Sequence, residues 1–164
     1  MRTVGLCLTL LLLAAVGPAQ TAATSAQTTT YGSTNPEQIP DATAYLMIFS
    51  AHSHFNDTAA QTTTETLHRQ VGFSQADHAV YDIAMNSFRT AYDALVASEK
   101  AALAAAPNHT VQTAIQQQLV QGLGVLVTNT LATLQSQLSP TGQQQLSAFV
   151  QGEKAHIIIS KGAK

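Results

Sequence analysis

The chain has 164 residues, 45% of them hydrophobic and only 10% charged, where an average soluble domain carries about 25% charged residues. That length holds one compact core, and that apolar content excludes disorder throughout. Seven Lys and Arg against nine Asp and Glu leave a net charge of −2, so there is no basic excess to neutralise a row of phosphates and no nucleic-acid partner is expected.

At the N-terminus, Arg2 precedes an apolar run from Leu6 to Val16 broken only by Thr9, and small residues Gly17 and Ala19 stand before Gln20. This pattern predicts a signal peptide over 1–19, with Ala23 as a second candidate cut. A spanning helix needs about 20 apolar residues, and Pro18 with the polar run behind it stops this one short, so no membrane span is expected after cleavage. Cleavage also removes Arg2, taking the charge from −2 to −3, and it removes Cys7, the one cysteine. A mature chain without cysteine has no disulfide, thiolate nucleophile, iron–sulfur ligand or c-type haem attachment, and it suits a bacterial periplasm or the medium. Residues 20–38 are Thr, Ala, Ser and Gln with almost no large apolar side chain, and are expected to form a flexible leader.

From Asp41 onward the spacing of apolar residues predicts an all-α domain over 39–160, a bundle of about five helices followed by a basic tail at 161–164. Tyr45, Ile48, Phe49, His52 and Phe55 make the stripe of a first helix, with Asp41 as its expected N-cap. A shorter second helix is expected to end near Val71, with Gly72 at C′. Ser74 is the expected N-cap of a third helix, with Asp77 at N3 and Phe73 and His78 in the staple positions. That helix runs without Gly or Pro from Ala76 to Ala106, with Tyr81, Phe88, Leu95 and Ala102 at seven-residue steps. Pro107 ends it, Asn108 caps a fourth helix that extends to Leu138, and Ser139-Pro140 opens a fifth carrying Leu146, Phe149, Val150 and Ile157. Gly122 and Gly124 inside the fourth helix predict a kink or the close approach of a neighbour. The β-branched run Ile157 to Ile159 predicts a frayed or extended tail, and no sheet is expected. The third and fourth helices should form a long antiparallel pair.

Six histidines are the main candidates for chemistry. His52 and His54 lie about 200° apart on a helix, which places His52 on the core-facing stripe and His54 toward solvent rather than both on one metal. His78 and Asp82 have i, i+4 spacing, which fits a local ion pair. The sharper pattern is Glu-x-x-His, present as Glu65 to His68 and as Glu153 to His156, with Glu37 and Glu99 the only other glutamates. That order resembles the ligand order of ferritin-like di-iron carboxylate bundles. The resemblance implies Glu65, His68, Glu153 and His156 as an alternative metal site, although antiparallel packing should hold Glu65 and Glu99 far apart. No cofactor-binding pattern and no nucleophile elbow are present, so the reading leans away from an enzyme. The aromatic residues are expected in the core.

The segments Tyr45 to Phe49, Leu67 to Ser74, Leu138 to Pro140 and Leu146 to Gln151 together resemble a group of small exported bacterial helical proteins. The resemblance implies fold and export, and no activity. Leu138-Ser139-Pro140-Thr141-Gly142 is also similar to the LTxxQ motif of periplasmic stress chaperones, with Ser139 in place of the Thr and Gly142 in place of the Gln. The expected function is therefore a non-catalytic binding or protein-interaction module. A protein or a small apolar ligand is the expected partner, and a homodimer could form through an apolar groove beside the first two helices. The alternatives are the metal-binding bundle, a chaperone-like protein and an apolar-ligand carrier.

Overall fold

The computed structural model describes residues 28–54 and 70–161. In these the chain is mainly helical, with four helices of more than one turn and one two-stranded sheet. The helices are α1 (Asp41–His54), α2 (Gln75–Ala105), α3 (His109–Gln137) and α4 (Pro140–Glu153), and the strands are β1 (Thr28–Tyr31) and β2 (Ile158–Lys161). Single 3₁₀ turns at Pro36–Gln38 and Lys154–His156 connect the sheet to the helices. The expected signal peptide and most of the expected second helix lie outside the described residues. The end of that helix does not: Gln70 and Val71 are helical, and Gly72 follows at φ 82°, the left-handed C′ conformation that glycine adopts without strain. Gln145 of α4 donates to the Gly72 carbonyl at 2.7 Å and secures this corner.

The start signals act as their side chains dictate. Ser74 accepts from the Asp77 amide at 3.1 Å, Asn108 from the Val111 amide at 3.0 Å and Ser139 from the Gly142 amide at 3.0 Å. Phe73 and His78 form the staple, with ring centroids 5.9 Å apart. The start of α1 differs from the expected cap. The Ala44 amide bonds to the Pro40 carbonyl, which makes Asp41 the first helical residue. Its carboxylate turns to Lys154 and Gln151 near the end of α4.

From Thr28 onward the expected flexible leader needs correction, as does the expected absence of a sheet, while residues 20–27 lie outside the described residues. Thr28 to Tyr31 pair antiparallel with Ile158 to Lys161, in the register Thr28↔Lys161 to Tyr31↔Ile158. Lys161, expected in the tail, and Ile157, expected in the fifth helix, lie in and just before β2. β-branched side chains fit a pleated surface better than a helix, so the Ile run ends the helical segment and recruits the Thr run. An isolated pair of short strands is marginal in water. This one is held by Ile157, which is buried, and by Ile159, which packs on the core beside it. Gly32 makes the join possible: its amide donates to the Ile157 carbonyl at 2.8 Å, and a Cβ there would lie 1.7 Å from the Lys154 carbonyl oxygen.

The core surrounds α1, which packs against α2, α3 and α4. Burial therefore wraps beyond a single stripe: Ala44 and Ser53 are buried together with Ile48 and Phe49, while Tyr45 is half-buried. Phe49 is the hub, with ring centroids 5.5 Å from Tyr45, 6.4 Å from Tyr81 and 5.6 Å from Phe88. The expected aromatic core holds for these residues; Phe55 lies outside the described set.

Candidate functional site

Two buried polar centres are built as structural joints. Asp77, only 4% exposed, accepts from the Ser74 hydroxyl at 2.7 Å, the Ser139 amide at 2.8 Å and the Ser139 hydroxyl at 2.8 Å. One carboxylate thus sits at the N-termini of both α2 and α4, where the helix dipoles favour negative charge. The bond from the Ser139 amide, joined by those from the two hydroxyls, holds its pKa below the ordinary carboxylate value. The same geometry accounts for Gly142, where the chaperone motif would place Gln. A Cβ at that position would meet the Asp77 carboxyl carbon at 2.8 Å. Leu138 to Gly142 therefore works here as a cap against Asp77.

The second centre pairs His52 Nδ1 with the Tyr81 hydroxyl at 2.6 Å, the direction of donation following the imidazole tautomer. Tyr81 is 2% exposed, and burial pushes its phenol pKa well above the ordinary tyrosine value. A phenol sealed in this way is a packing group with a satisfied hydroxyl. His54 takes the solvent side, as its position predicts, and its Nε2 lies 3.2 Å from Asp93. His78 contributes to the staple described above.

The alternative metal set is only half within view. Glu65 and His68 lie outside the described residues. Glu153 ends α4, and His156 is exposed on the following 3₁₀ turn. Glu37 is exposed on the other 3₁₀ turn, and Glu99 is half-buried far along α2. Among the described residues no three His, Cys, Asp or Glu side chains group as metal ligands do.

A groove of about 370 Å³ opens between α1, the end of α3 and α4, lined by Tyr45, Leu131, Leu134, Leu138, Gln143 and Ser147. One of its polar lining side chains is engaged: Gln143 donates to the Gln135 and Leu138 carbonyls and closes the end of α3. Neither His52 nor Tyr81 lines it.

The largest unsatisfied feature is an arm. α2 and α3 have 31 and 29 residues, whereas α1 and α4 have 14 each. At 1.5 Å per residue the short helices reach about 21 Å and the long ones about 45 Å. Among the described residues, the distal halves of α2 and α3 therefore extend beyond the reach of the short helices α1 and α4. Between Phe88 on α2 and Val127 on α3 no side chain is buried. The seven-residue apolar steps continue through Leu95 and Ala102, yet Leu95 is only half-buried and Ala102 is exposed. The two arm helices touch closely at Gly122, where a Cβ would lie 3.2 Å from Leu95 Cδ2; this is the close approach that the glycine predicted. Nothing lies within 4 Å of a Cβ at Gly124.

The arm has two unlike flanks, which follow from helical geometry at 100° per residue. One carries Arg89, Asp93 and Lys100 on α2 and His109 and Val120 on α3, and α1 reaches it through His54. The other carries Ala91, Leu95, Ser98, Ala102 and Ala105 on α2, with Val111, Ile115, Gln118, Gly122 and Val125 on α3. Both rows of the second flank are spaced 4, 3, 4, 3, and neither contains a charge. No described helix is long and apolar enough to cross a membrane. Comparison with protein-family models, curated proteins and solved structures finds no match.

Proposed function

We propose that this chain is an exported, non-catalytic protein-interaction module whose working surface is the distal half of the α2–α3 hairpin. Export is inferred from Arg2, the Leu6–Val16 run and the small residues before Gln20. The observation that supports the interaction reading is the arm itself, an ordered hairpin about 25 Å long with no buried side chain between Phe88 and Val127. Apolar side chains held half-exposed along such a length contribute little to the monomer and gain burial only against a partner. The low charge fits the same reading, because it leaves shape and apolar contact as the means of recognition.

The test is to shorten the arm by matched turns of α2 and α3 beyond Asp93 and Gly122. A chain that keeps its melting temperature within a few degrees and loses the larger complexes that the full-length protein forms in extracts of the producing cell supports the reading. A shortened chain that fails to fold shows that the arm is structural and refutes it. Full-length protein that migrates only as a monomer in the same extracts refutes it as well.

A further inference from the structure

The uncharged flank of the arm has a chemistry that selects among partners. Its two rows, 91, 95, 98, 102, 105 and 111, 115, 118, 122, 125, have the 3.5-residue period of helices that pack side by side. Leu95 and Ile115 are half-buried toward the seam between the two helices, while Val111 is 37% and Val125 is 59% exposed. Neither row has a charge with which to recognise an ionic partner, and neither carries one that would repel an identical copy. Such a surface is compatible with its own image across a two-fold axis.

The available area also matches. Arm helices about 25 Å long, side by side across about 20 Å, offer a flat footprint of about 500 Å² per copy. Two copies together bury about 1,000 Å² before side-chain relief is added, which reaches the lower bound for a specific interface. A single added helix would cover about half of this width.

Resting on the interaction reading above, we infer that the partner on this flank is a second copy of this chain, with two arms packing into an intermolecular four-helix bundle. The α2 row of one copy lies against the α3 row of the other. The small residues Ala91, Ala102, Ala105 and Gly122 allow the helices to come close, and Leu95, Val111, Ile115 and Val125 supply the apolar contact. The flank bearing Arg89, Asp93 and Lys100 stays in water.

The experiment places a photo-crosslinking residue at position 125 on the uncharged flank, or at position 120 on the charged one, in the full chain within the producing cell. An adduct of twice the chain mass from position 125, and none from position 120, is expected. In the purified protein, Val125→Asp should weaken self-association by at least about tenfold, because the substitution places like charges in one buried interface. Lys100→Ala should leave it within about twofold. Both positions are exposed, so unchanged circular dichroism confirms that the fold survives. An adduct from position 125 to a different protein overturns the self-pairing and leaves the interaction reading in place. No adduct from either position overturns both.

Discussion

Replacing Asp77 with Ala should be the most damaging polar change in the described chain, because one carboxylate closes the starts of two helices. The substitution removes acceptors from the Ser139 amide and from the Ser74 and Ser139 hydroxyls, all within 2.7 to 2.8 Å. The two hydroxyls belong to exposed residues and can turn to water, so most of the loss comes from the amide bond. A hydrogen bond to a charged acceptor contributes about 2 kcal/mol, and charge at a helix N-terminus adds up to about 1 kcal/mol. The expected cost is therefore about 3 kcal/mol at pH 7, or about 9 °C in Tm at roughly 3 °C per kcal/mol for a chain of this size. Asp77→Asn keeps the shape and one acceptor, and should cost about half as much. The pH dependence has a definite sign. The folded-state pKa of Asp77 lies below its ordinary value, so its contribution is fully present above about pH 4 and is lost as pH falls through the folded value. The stability gap between wild type and Asp77→Asn should be constant from about pH 5 to 7 and should narrow below about pH 4. Urea unfolding followed by circular dichroism at several pH values measures both effects. A loss below about 0.5 kcal/mol for Asp77→Ala, typical of an ordinary surface change, would refute the double-cap argument.

The other predictions concern the core and the sheet. Phe49→Ala removes the 0% exposed hub of three ring contacts and should cost about 3 to 5 kcal/mol in the same unfolding assay. Gly32→Ala drives a methyl group into the Lys154 carbonyl and should cost more than about 2 kcal/mol. It should also speed amide exchange across Ile157 to Ile159, the signature of a released strand. Tyr81→Phe removes the partner of His52 and should cost about 1 kcal/mol at pH 7. Because the Tyr81 pKa is raised by burial, the wild type should lose stability more steeply than Tyr81→Phe above about pH 10, where the unfolded phenol ionises.

The helices were legible in the sequence because their signals are local. Ser74, Asn108, Ser139-Pro140 and Gly72 each act on backbone groups within a few residues, so a cap is recognised wherever its own short pattern occurs. The aromatic core was legible for a related reason, since apolar spacing identifies a buried face before its partner is known. The polar joints were not. Asp77 reads as an N3 residue of one helix, and only the fold brings it to Ser139, 62 residues away. Asp41 reads as a cap and is drawn away by Lys154, 113 residues on.

Tertiary structure also decided what the periodic pattern could not. The heptad steps through Tyr81, Phe88, Leu95 and Ala102 look uniform in sequence, but burial stops after Phe88, where the described short helices α1 and α4 no longer reach. A four-residue Thr-rich strand carries little signal alone, and it forms because the Ile run at the other end of the chain offers a ladder and Gly32 lets the backbones meet. Among the described residues, sequence by itself thus determined the four longer helices, the caps that start three of them and which faces are apolar, all short-range properties of the chain. Which apolar faces are covered, which stay exposed, and which charges meet depends on helix lengths and positions relative to one another, and those exist only in the folded molecule.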